Sequence, residues 1–298
     1  MSVHGALKRP PSGRVAYVDG RYARHGDAAV HIEDRGLQFA DSVYEVVAVS
    51  NGVLLDASPH FDRLARSLNA IGMAMPVGRA ALEIILHETA RRNRLREGFL
   101  YLQVTRGAAS RDHAAPIGIS PSLIVTAKHS NTKAVEARRA AGIAVITTPD
   151  IRWGRCDIKS TALLPNVMAK TEARSKDAFE AWFVDADGFI SEGSSSNAWI
   201  VAGNGTAITR SLRDNILPGV TRAVIMDAMA EAGLSVEERA FSLDEAMGAA
   251  EAFISSATGG VMPVVRIDGK DVGDGLPGPM AMRMHLLYRA LSLKDSNA

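Results

Sequence analysis

The chain has 298 residues, of which 47% are hydrophobic and 22% charged, a composition typical of a globular protein with a sizeable core in one or two domains. The formal net charge of +1 gives no basis for binding nucleic acid or an anionic membrane, since such partners usually require a strongly basic block. The single cysteine, Cys156, excludes an intramolecular disulfide and a cysteine-based metal cluster within one chain. These properties favour small-molecule chemistry in a reducing cytoplasm, without a metal.

The first residues, Met1 to Arg14, include Lys8, Arg9 and two prolines but no apolar run of signal-peptide length. No apolar stretch elsewhere in the sequence approaches the length of a membrane span. The sequence therefore predicts neither export nor insertion into a membrane.

Pairs of turn residues divide the chain into short strands. Each pair is flanked by apolar or alternating residues, which predicts antiparallel hairpins. The first residues of these Asp-Gly and Asn-Gly pairs are Asp19, Asn51, Asp187, Asn204 and Asp268. A helical pattern of apolar residues begins after Ser58-Pro59 and includes Phe61, Leu64, Ala65, Leu68 and Ile71.

Strands and helices coexist without strict alternation, and no G-x-G-x-x-G pattern follows a strand. This mixture predicts an α+β fold rather than a doubly wound parallel sheet. The polar stretch from Lys128 to Lys133 is the best candidate for a linker. We expect a smaller N-terminal domain over 1–128, a linker over 129–134 and a larger C-terminal domain over 135–298.

A lysine and a glutamate 33 positions apart carry the strongest chemical signal. Lys159 follows Cys156-Asp157-Ile158, and Glu192 precedes a glycine, three serines and Asn197. Pyridoxal phosphate chemistry requires a lysine amine that can lose its proton and an acidic group that keeps the pyridine nitrogen protonated. Taken singly, the first segment is typical of a partly exposed strand and the second of a surface loop.

Together the two segments resemble the fold-type IV pyridoxal phosphate aminotransferases, which include D-amino acid aminotransferases, branched-chain aminotransferases and aminodeoxychorismate lyases. The resemblance spans nearly the whole chain, and several matches in order are more specific than one motif. It implies a two-domain α+β fold whose C-terminal domain binds pyridoxal 5'-phosphate. Further matched segments are 33–36, 44–47, 104–107, 151–153, 217–222 and 268–270.

The resemblance also implies roles for individual residues. Lys159 would form the Schiff base with the cofactor, and Glu192 would pair with its pyridine nitrogen. The segment 217–222 supplies a helix start, whose backbone amides favour a phosphate. The other residues implied to bind the cofactor are Arg63, Val220, Thr221, Thr258, Ser195, Ser196 and Asn197.

Three residues bear on the substrate. In D-amino acid aminotransferases a tyrosine and an arginine-x-histidine pair hold the substrate carboxylate, and this chain has Tyr44, Arg111 and His113 at the matching places. The family places the loop with that pair in the active site of a neighbouring subunit, which implies a homodimer. We therefore expect ping-pong transamination between a D-amino acid, such as D-alanine or D-glutamate, and a 2-oxo acid.

Other activities remain open at this stage. An L-branched-chain aminotransferase, an aminodeoxychorismate lyase or an R-selective amine transaminase would share the lysine, glutamate and phosphate groups, and a non-enzymatic protein that binds the cofactor is a further alternative. The chain departs from many relatives at Ala40, Ser42, Ala257, Gly259 and Gly260. Ala40 and Ser42 stay small, so we expect little consequence there, whereas Ala257, Gly259 and Gly260 leave the preferred D-amino acid open.

Overall fold

The computed structural model describes residues 13–295, which cluster into two compact units. The first unit holds the chain up to Leu54 and then Phe61–Ser130. The second holds Leu55–His60 and the chain from Asn131 onward. Of the segment from Met1 to Arg14, for which no export signal is expected, residues 1–12 lie outside the described residues. The predicted domain limits stay a prediction. Between residues 13 and 295, no helix is both long and apolar enough to cross a membrane.

The first unit is built on one antiparallel sheet with strand order β2-β1-β6-β5-β3-β4. Leu100, Leu102 and Val104 are fully buried at alternate positions of β5, as the two-residue period of a strand requires. The elements from Gly13 to Ser130 are β1 (Val15–Val18), β2 (Arg21–Arg24), α1 (Arg35–Phe39), β3 (Ser42–Ser50), β4 (Val53–Leu54), α2 (Ala57–Ala70), α3 (Arg79–Arg92), β5 (Gly98–Thr105) and β6 (Ser122–His129).

The second unit combines helices with a larger mixed sheet. Its elements are α4 (Thr132–Ala141), β7 (Ile143–Pro149), α5 (Leu164–Ser175), β8 (Glu180–Val184), β9 (Ile190–Gly193), β10 (Asn197–Val201), β11 (Ala207–Thr209), α6 (Val220–Glu231), β12 (Val236–Glu238), α7 (Leu243–Met247), β13 (Glu251–Ser256), β14 (Gly260–Ile267), β15 (Lys270–Asp271) and α8 (Pro279–Asp295).

The strand order of this sheet is β12-β11-β10-β13-β14-β7-β8-β9, with β15 paired to β14. The pairs β11–β12, β14–β7 and β7–β8 are parallel, and the other pairs are antiparallel. Strands and helices thus form mixed layers in both units, and the predicted α+β class is confirmed.

The core of the second unit covers both faces of its sheet. Along β10, Ala198 and Ile200 pack into one cluster with Trp182 and Phe241. The alternate residue Trp199 packs into another with helices α6 and α8. All five residues of β10 are therefore buried, so the polar group at its start, Asn197, lies inside protein.

The five predicted hairpin turns are confirmed, since each pair separates two strands that the structure pairs antiparallel. In three of them both turn residues have positive φ, as at Asp19 (45°) and Gly20 (85°), which fits the tight hairpin turns that asparagine, aspartate and glycine favour. The prediction that the first long helix starts after Ser58-Pro59 was wrong by about three residues. Helix α2 begins at Ala57, because Pro59 is tolerated in a first turn, where no intrahelical partner is needed for its nitrogen.

Candidate active site

Lys159 lies in the irregular segment between β7 and α5, in the second unit. The backbone N–H of Ser160 donates to the carbonyl of Ile158 at 2.8 Å. The N–H of Cys156 donates to Oδ1 of Asn215 at 2.9 Å, which ties this segment to the stretch before α6. Ile158, Cys156 and Ser160 are buried and Lys159 is half-buried. The backbone that carries the predicted lysine is therefore held in place by its neighbours.

Glu192 is buried on β9 and surrounded by donors. Nδ2 of Asn197 donates to it at 3.1 Å, the N–H of Leu217 donates to both of its oxygens at 3.2 and 3.3 Å, and Arg152 forms a salt bridge with it. Burial raises the pKa of Glu192, although the charges of Arg152 and Lys159 oppose this. Pairing with a protonated pyridine nitrogen requires the ionised carboxylate, and the hydrogen bonds from Arg152 and from the N–H of Leu217 favour that form.

Arg152 is a member of this site that the sequence analysis did not assign. Its Nη2 and Nε lie 2.7 and 2.9 Å from the two oxygens of Asp150, and its guanidinium lies 4.6 Å from the ring centre of Phe183. Burial alone would raise the pKa of Asp150, but hydrogen bonds from Arg152 and Ser191 outweigh it and hold that pKa below its usual value. Arg152 lies in the matched segment 151–153, so the sequence did contain a signal for it.

The start of helix α6 is open to an anion. Its N-cap residue, Gly219, has φ −65°, and no side chain within the described residues caps the helix. The first helical residues, Val220 and Thr221, are buried. A buried helix start without a capping side chain presents backbone donors to a negatively charged group. Nδ2 of Asn197 also donates to the carbonyl of Leu217 at 3.0 Å, which connects this helix start with Glu192.

A glycine is required at position 219. A Cβ atom there would lie 2.1 Å from Oδ1 of Asn197. We expect Gly219→Ala to displace Asn197 and to lower the free energy of unfolding by about 1–3 kcal/mol. Gly78, the N-cap of α3 with φ −64°, is the matched control, because a Cβ there meets nothing within 4 Å and Gly78→Ala should cost less than about 1 kcal/mol. Chemical denaturation measures both, and equal losses would contradict the steric argument.

Tyr288 on α8 lies next to the helix start. It forms a hydrogen bond with Thr221, and burial, with the nearby carboxylate of Asp56, raises the pKa of Tyr288 to about 12. Asp56 accepts hydrogen bonds from the hydroxyls of Tyr288 (3.3 Å) and Ser292 (3.0 Å). A Cβ on Gly260 would lie 3.3 Å from the Tyr288 ring. Tyr288 thus contacts Thr221 and lies beside Gly260, which follows the turn that contains Thr258.

Thr258 is exposed in the turn between β13 and β14. The buried Arg139 binds the carbonyl oxygens of Gly259 and Val261 at 2.7 and 2.9 Å. The N–H of Gly259 donates to Oγ of Ser256 at 3.3 Å. Arg139 therefore fixes the backbone of the turn from its carbonyl side, a role with no counterpart in the sequence analysis.

The serines of the predicted cofactor segment bind another group. Oγ of Ser195 and of Ser196 donate to Glu180 at 2.9 and 3.2 Å, and Ser194 also donates to it. Lys170 lies 3.2 Å from the same carboxylate, which is 1% exposed. These contacts fix the turn between Glu192 and Asn197. Binding of the cofactor by Ser195 and Ser196 stays a prediction, and nothing in the sequence had indicated Glu180.

Two predicted residues of the first unit lie on β3 and α2. Tyr44 stacks on Tyr101, with ring centres 5.5 Å apart. Nε and Nη2 of Arg63 each lie 2.7 Å from an oxygen of Glu45, and both side chains are buried. A phosphate role for Arg63 stays a prediction, and it requires the guanidinium to serve Glu45 as well.

Arg111 and His113 lie on the exposed loop between β5 and β6 of the same unit. Both contact Phe39 of α1: the Arg111 guanidinium lies 4.9 Å from its ring centre, and the His113 ring centre lies 5.5 Å from it. The two predicted trap residues are therefore on the same side of their loop.

The chain is similar to known aminotransferases over most of its length. The family model for amino-transferase class IV matches residues 42–267. The D-alanine aminotransferase of Bacillus licheniformis is 42% identical over 93% of this chain and 97% of its own, and that of Staphylococcus aureus is 34% identical over 90% and 94%. Among solved structures, the branched-chain aminotransferase of Escherichia coli has a TM-score of 0.84 at 24% identity, covering 94% of each chain. That of Thermoproteus uzoniensis has a TM-score of 0.82 at 26% identity, covering 94% of this chain and 95% of its own.

The chain belongs to the class IV aminotransferase family. The predicted family, fold class and enzyme class are confirmed. The roles of individual site residues stay predictions.

Proposed function

We propose that the protein catalyses ping-pong transamination between a D-amino acid and a 2-oxo acid with pyridoxal 5'-phosphate as cofactor. The observation that carries this proposal is the connected set of Glu192, Asn197 and the open start of α6, in the same unit as Lys159. Two D-alanine aminotransferases that share 42% and 34% of its residues support the D configuration.

The donor set fits pyridoxal 5'-phosphate. Lys159 would hold the cofactor covalently, the buried Glu192 would pair with the pyridine nitrogen, and the amides of Val220 and Thr221 would bind the phosphate. Bound there, the cofactor supplies an electron sink for the bond that breaks at the substrate Cα. The other residues that we propose for binding the cofactor are Arg63, Thr258, Ser195, Ser196 and Asn197.

The reaction needs a base at the substrate Cα. Lys159 is the candidate, because its amine can accept the Cα proton when neutral. The buried salt bridge between Arg152 and Glu192 holds the glutamate in one orientation during this transfer. Tyr44, Arg111 and His113 would bind the substrate carboxylate, since a guanidinium matches the two oxygens of a carboxylate with two donors.

The substrate class is tested by a spectral titration of the purified holoenzyme with D-alanine and, separately, L-leucine. Conversion of the cofactor to its amine form by D-alanine alone supports the proposal. Conversion by L-leucine alone would place the protein with the branched-chain aminotransferases, whose fold it shares. Conversion by neither would favour a lyase or an amine transaminase.

We also propose that the protein works as a homodimer in the cytoplasm. An apolar surface of the second unit supports the dimer. On α5, Leu164, Val167 and Met168 occupy one face at helical spacing and are 70%, 56% and 55% exposed. Ile151 lies beside Val167 and Met168 in the same surface cavity and is also exposed. Contiguous exposed apolar residues are typical of interaction surfaces.

Met168→Glu tests this surface. If it lies in the interface, the buried charge should weaken dimerisation at least about tenfold, because interface residues that matter cost 1–2 kcal/mol or more. Arg174→Glu on the same helix is the matched control, since that position is exposed and polar. Light scattering over a dilution series measures the mass. A dimer as tight as the wild type in Met168→Glu would remove α5 from the interface.

A further inference from the structure

The loop with Arg111 and His113 is exposed from residue 111 to residue 118. Its backbone nevertheless accepts hydrogen bonds from one buried side chain. Arg35, at the start of α1, is 4% exposed. Its Nη1 donates to the carbonyl of Asp112 at 2.6 Å, and its Nη2 donates to the carbonyl of His113 at 3.0 Å. Two successive carbonyl oxygens are therefore bound by the fork of one guanidinium.

The third nitrogen of the Arg35 guanidinium also donates a hydrogen bond. Its Nε donates to Oδ2 of Asp41 at 2.9 Å, and the same oxygen accepts from Nε of Arg106 at 2.6 Å. Burial alone would raise the pKa of Asp41, but the hydrogen bonds from Arg106 and Arg35 outweigh it and keep that pKa below its usual value. Asp41 is consequently ionised at neutral pH and fixes the plane of the Arg35 guanidinium.

A ring completes the support. Phe39 lies beneath three groups: the guanidinium of Arg35 at 4.8 Å from its ring centre, that of Arg111 at 4.9 Å and the imidazole of His113 at 5.5 Å. Arg111 and His113 thus share the Phe39 ring in a bent part of the loop, while Asp112, between them, accepts the N–H of Ala114 at 3.1 Å.

We infer that Arg35 and Phe39 are positioning residues that set substrate preference by holding Arg111 and His113 in the geometry that binds a carboxylate. This inference rests on the proposed function, since it concerns the residues that would bind the substrate carboxylate. Neither Arg35 nor Phe39 is among the residues proposed to bind the substrate. Their effect is to order a surface loop before the substrate arrives, so that the free energy of ordering it is not subtracted from binding.

The test uses the holoenzymes of Arg35→Met and Phe39→Leu with two amino donors, D-alanine and D-alaninamide, of which only the first has a carboxylate. We expect each variant to raise the KM for D-alanine about tenfold or more, because the free energy of ordering the loop would then be subtracted from binding of the substrate. The rate with D-alaninamide, the maximal rate with D-alanine and the visible spectrum of the bound cofactor should stay close to the wild type. Arg35→Lys, which keeps the charge but not the fork, should recover part of the KM.

Arg106→Met is the matched control. Arg106 shares Asp41 with Arg35 and also binds two carbonyl oxygens, but these belong to Ile71 and Gly72 rather than to the loop. It should therefore cost stability without the selective rise in KM. Should Arg35→Met fail to fold, Phe39→Leu carries the test, since it leaves the three bonds of Arg35 intact.

The outcomes distinguish failure of the proposed function from failure of the positioning role of Arg35 and Phe39. A wild-type enzyme that D-alanine does not convert would refute the proposed function itself. A wild type that D-alanine converts, with Phe39→Leu and Arg35→Met that keep its KM, would overturn the positioning role alone. Equal losses with D-alanine and D-alaninamide would also overturn it, since they would indicate general damage to the fold.

Discussion

Lys159→Ala should abolish transamination and remove the visible absorbance band of the cofactor linked to the enzyme. Because we propose that the lysine is both the covalent attachment and the base at the substrate Cα, we expect turnover to fall at least about 10⁴-fold. Because Lys159 is half-buried in a segment held by its backbone and by buried neighbours, the substitution should leave the fold intact. Absorbance spectra and steady-state rates with D-alanine measure the effect.

Lys176→Ala is the control for this variant. Lys176 is 57% exposed and pairs with Glu172 at 2.8 Å on the surface of the second unit. It should keep the band and full activity. A Lys159→Ala enzyme that retained both would show that another amine performs the reaction.

Glu192→Gln should lower turnover by about 10²–10³-fold, the usual cost of removing one charged group that stabilises a transition state in a dry site. The amide matches the carboxylate in shape but not in charge, so it no longer keeps the pyridine nitrogen protonated. It also leaves the buried Arg152 with Asp150 as its carboxylate partner. We therefore expect the apoprotein to lose about 1–3 kcal/mol of stability as well.

Measurement of both quantities separates chemistry from folding. Turnover is measured with saturating cofactor, and stability is measured by denaturation of the apoprotein. Glu172→Gln removes a carboxylate from an exposed ion pair and should change neither by more than a small factor. A fully active Glu192→Gln enzyme would exclude Glu192 as the partner of the pyridine nitrogen.

The sequence allowed the prediction of local features that depend on neighbouring residues. The five hairpin turns follow from asparagine, aspartate and glycine at positions that need positive φ or a tight turn. The start of α6 after Pro218-Gly219 follows from the preference of proline and glycine for such a place. Lys159 and Glu192 were proposed as site residues because each lies in a segment typical of the family.

Contacts between residues distant in the sequence were not predictable in this way. Glu180 precedes the serines that bind it by 14 to 16 positions, and its place at the start of β8 has no distinctive local pattern. Arg35 binds carbonyl oxygens 77 and 78 positions away, and a backbone oxygen leaves no trace in the residue type. Side chains that bind distant backbone atoms are thus the part of the site that only the three-dimensional structure reveals.

The hydrogen bonds of Asp56 bear on whether the two units can be produced separately. Asp56 belongs to the second unit, although the chain on both sides of residues 55–60 belongs to the first. A C-terminal fragment that begins at Asn131 would lack Asp56. The buried hydroxyls of Tyr288 and Ser292 in that fragment would then lose their carboxylate acceptor. The polypeptide passes between the units at three points rather than one. Gene fusions or domain exchanges at position 130 should therefore yield an unstable C-terminal half unless residues 55–60 are supplied with it.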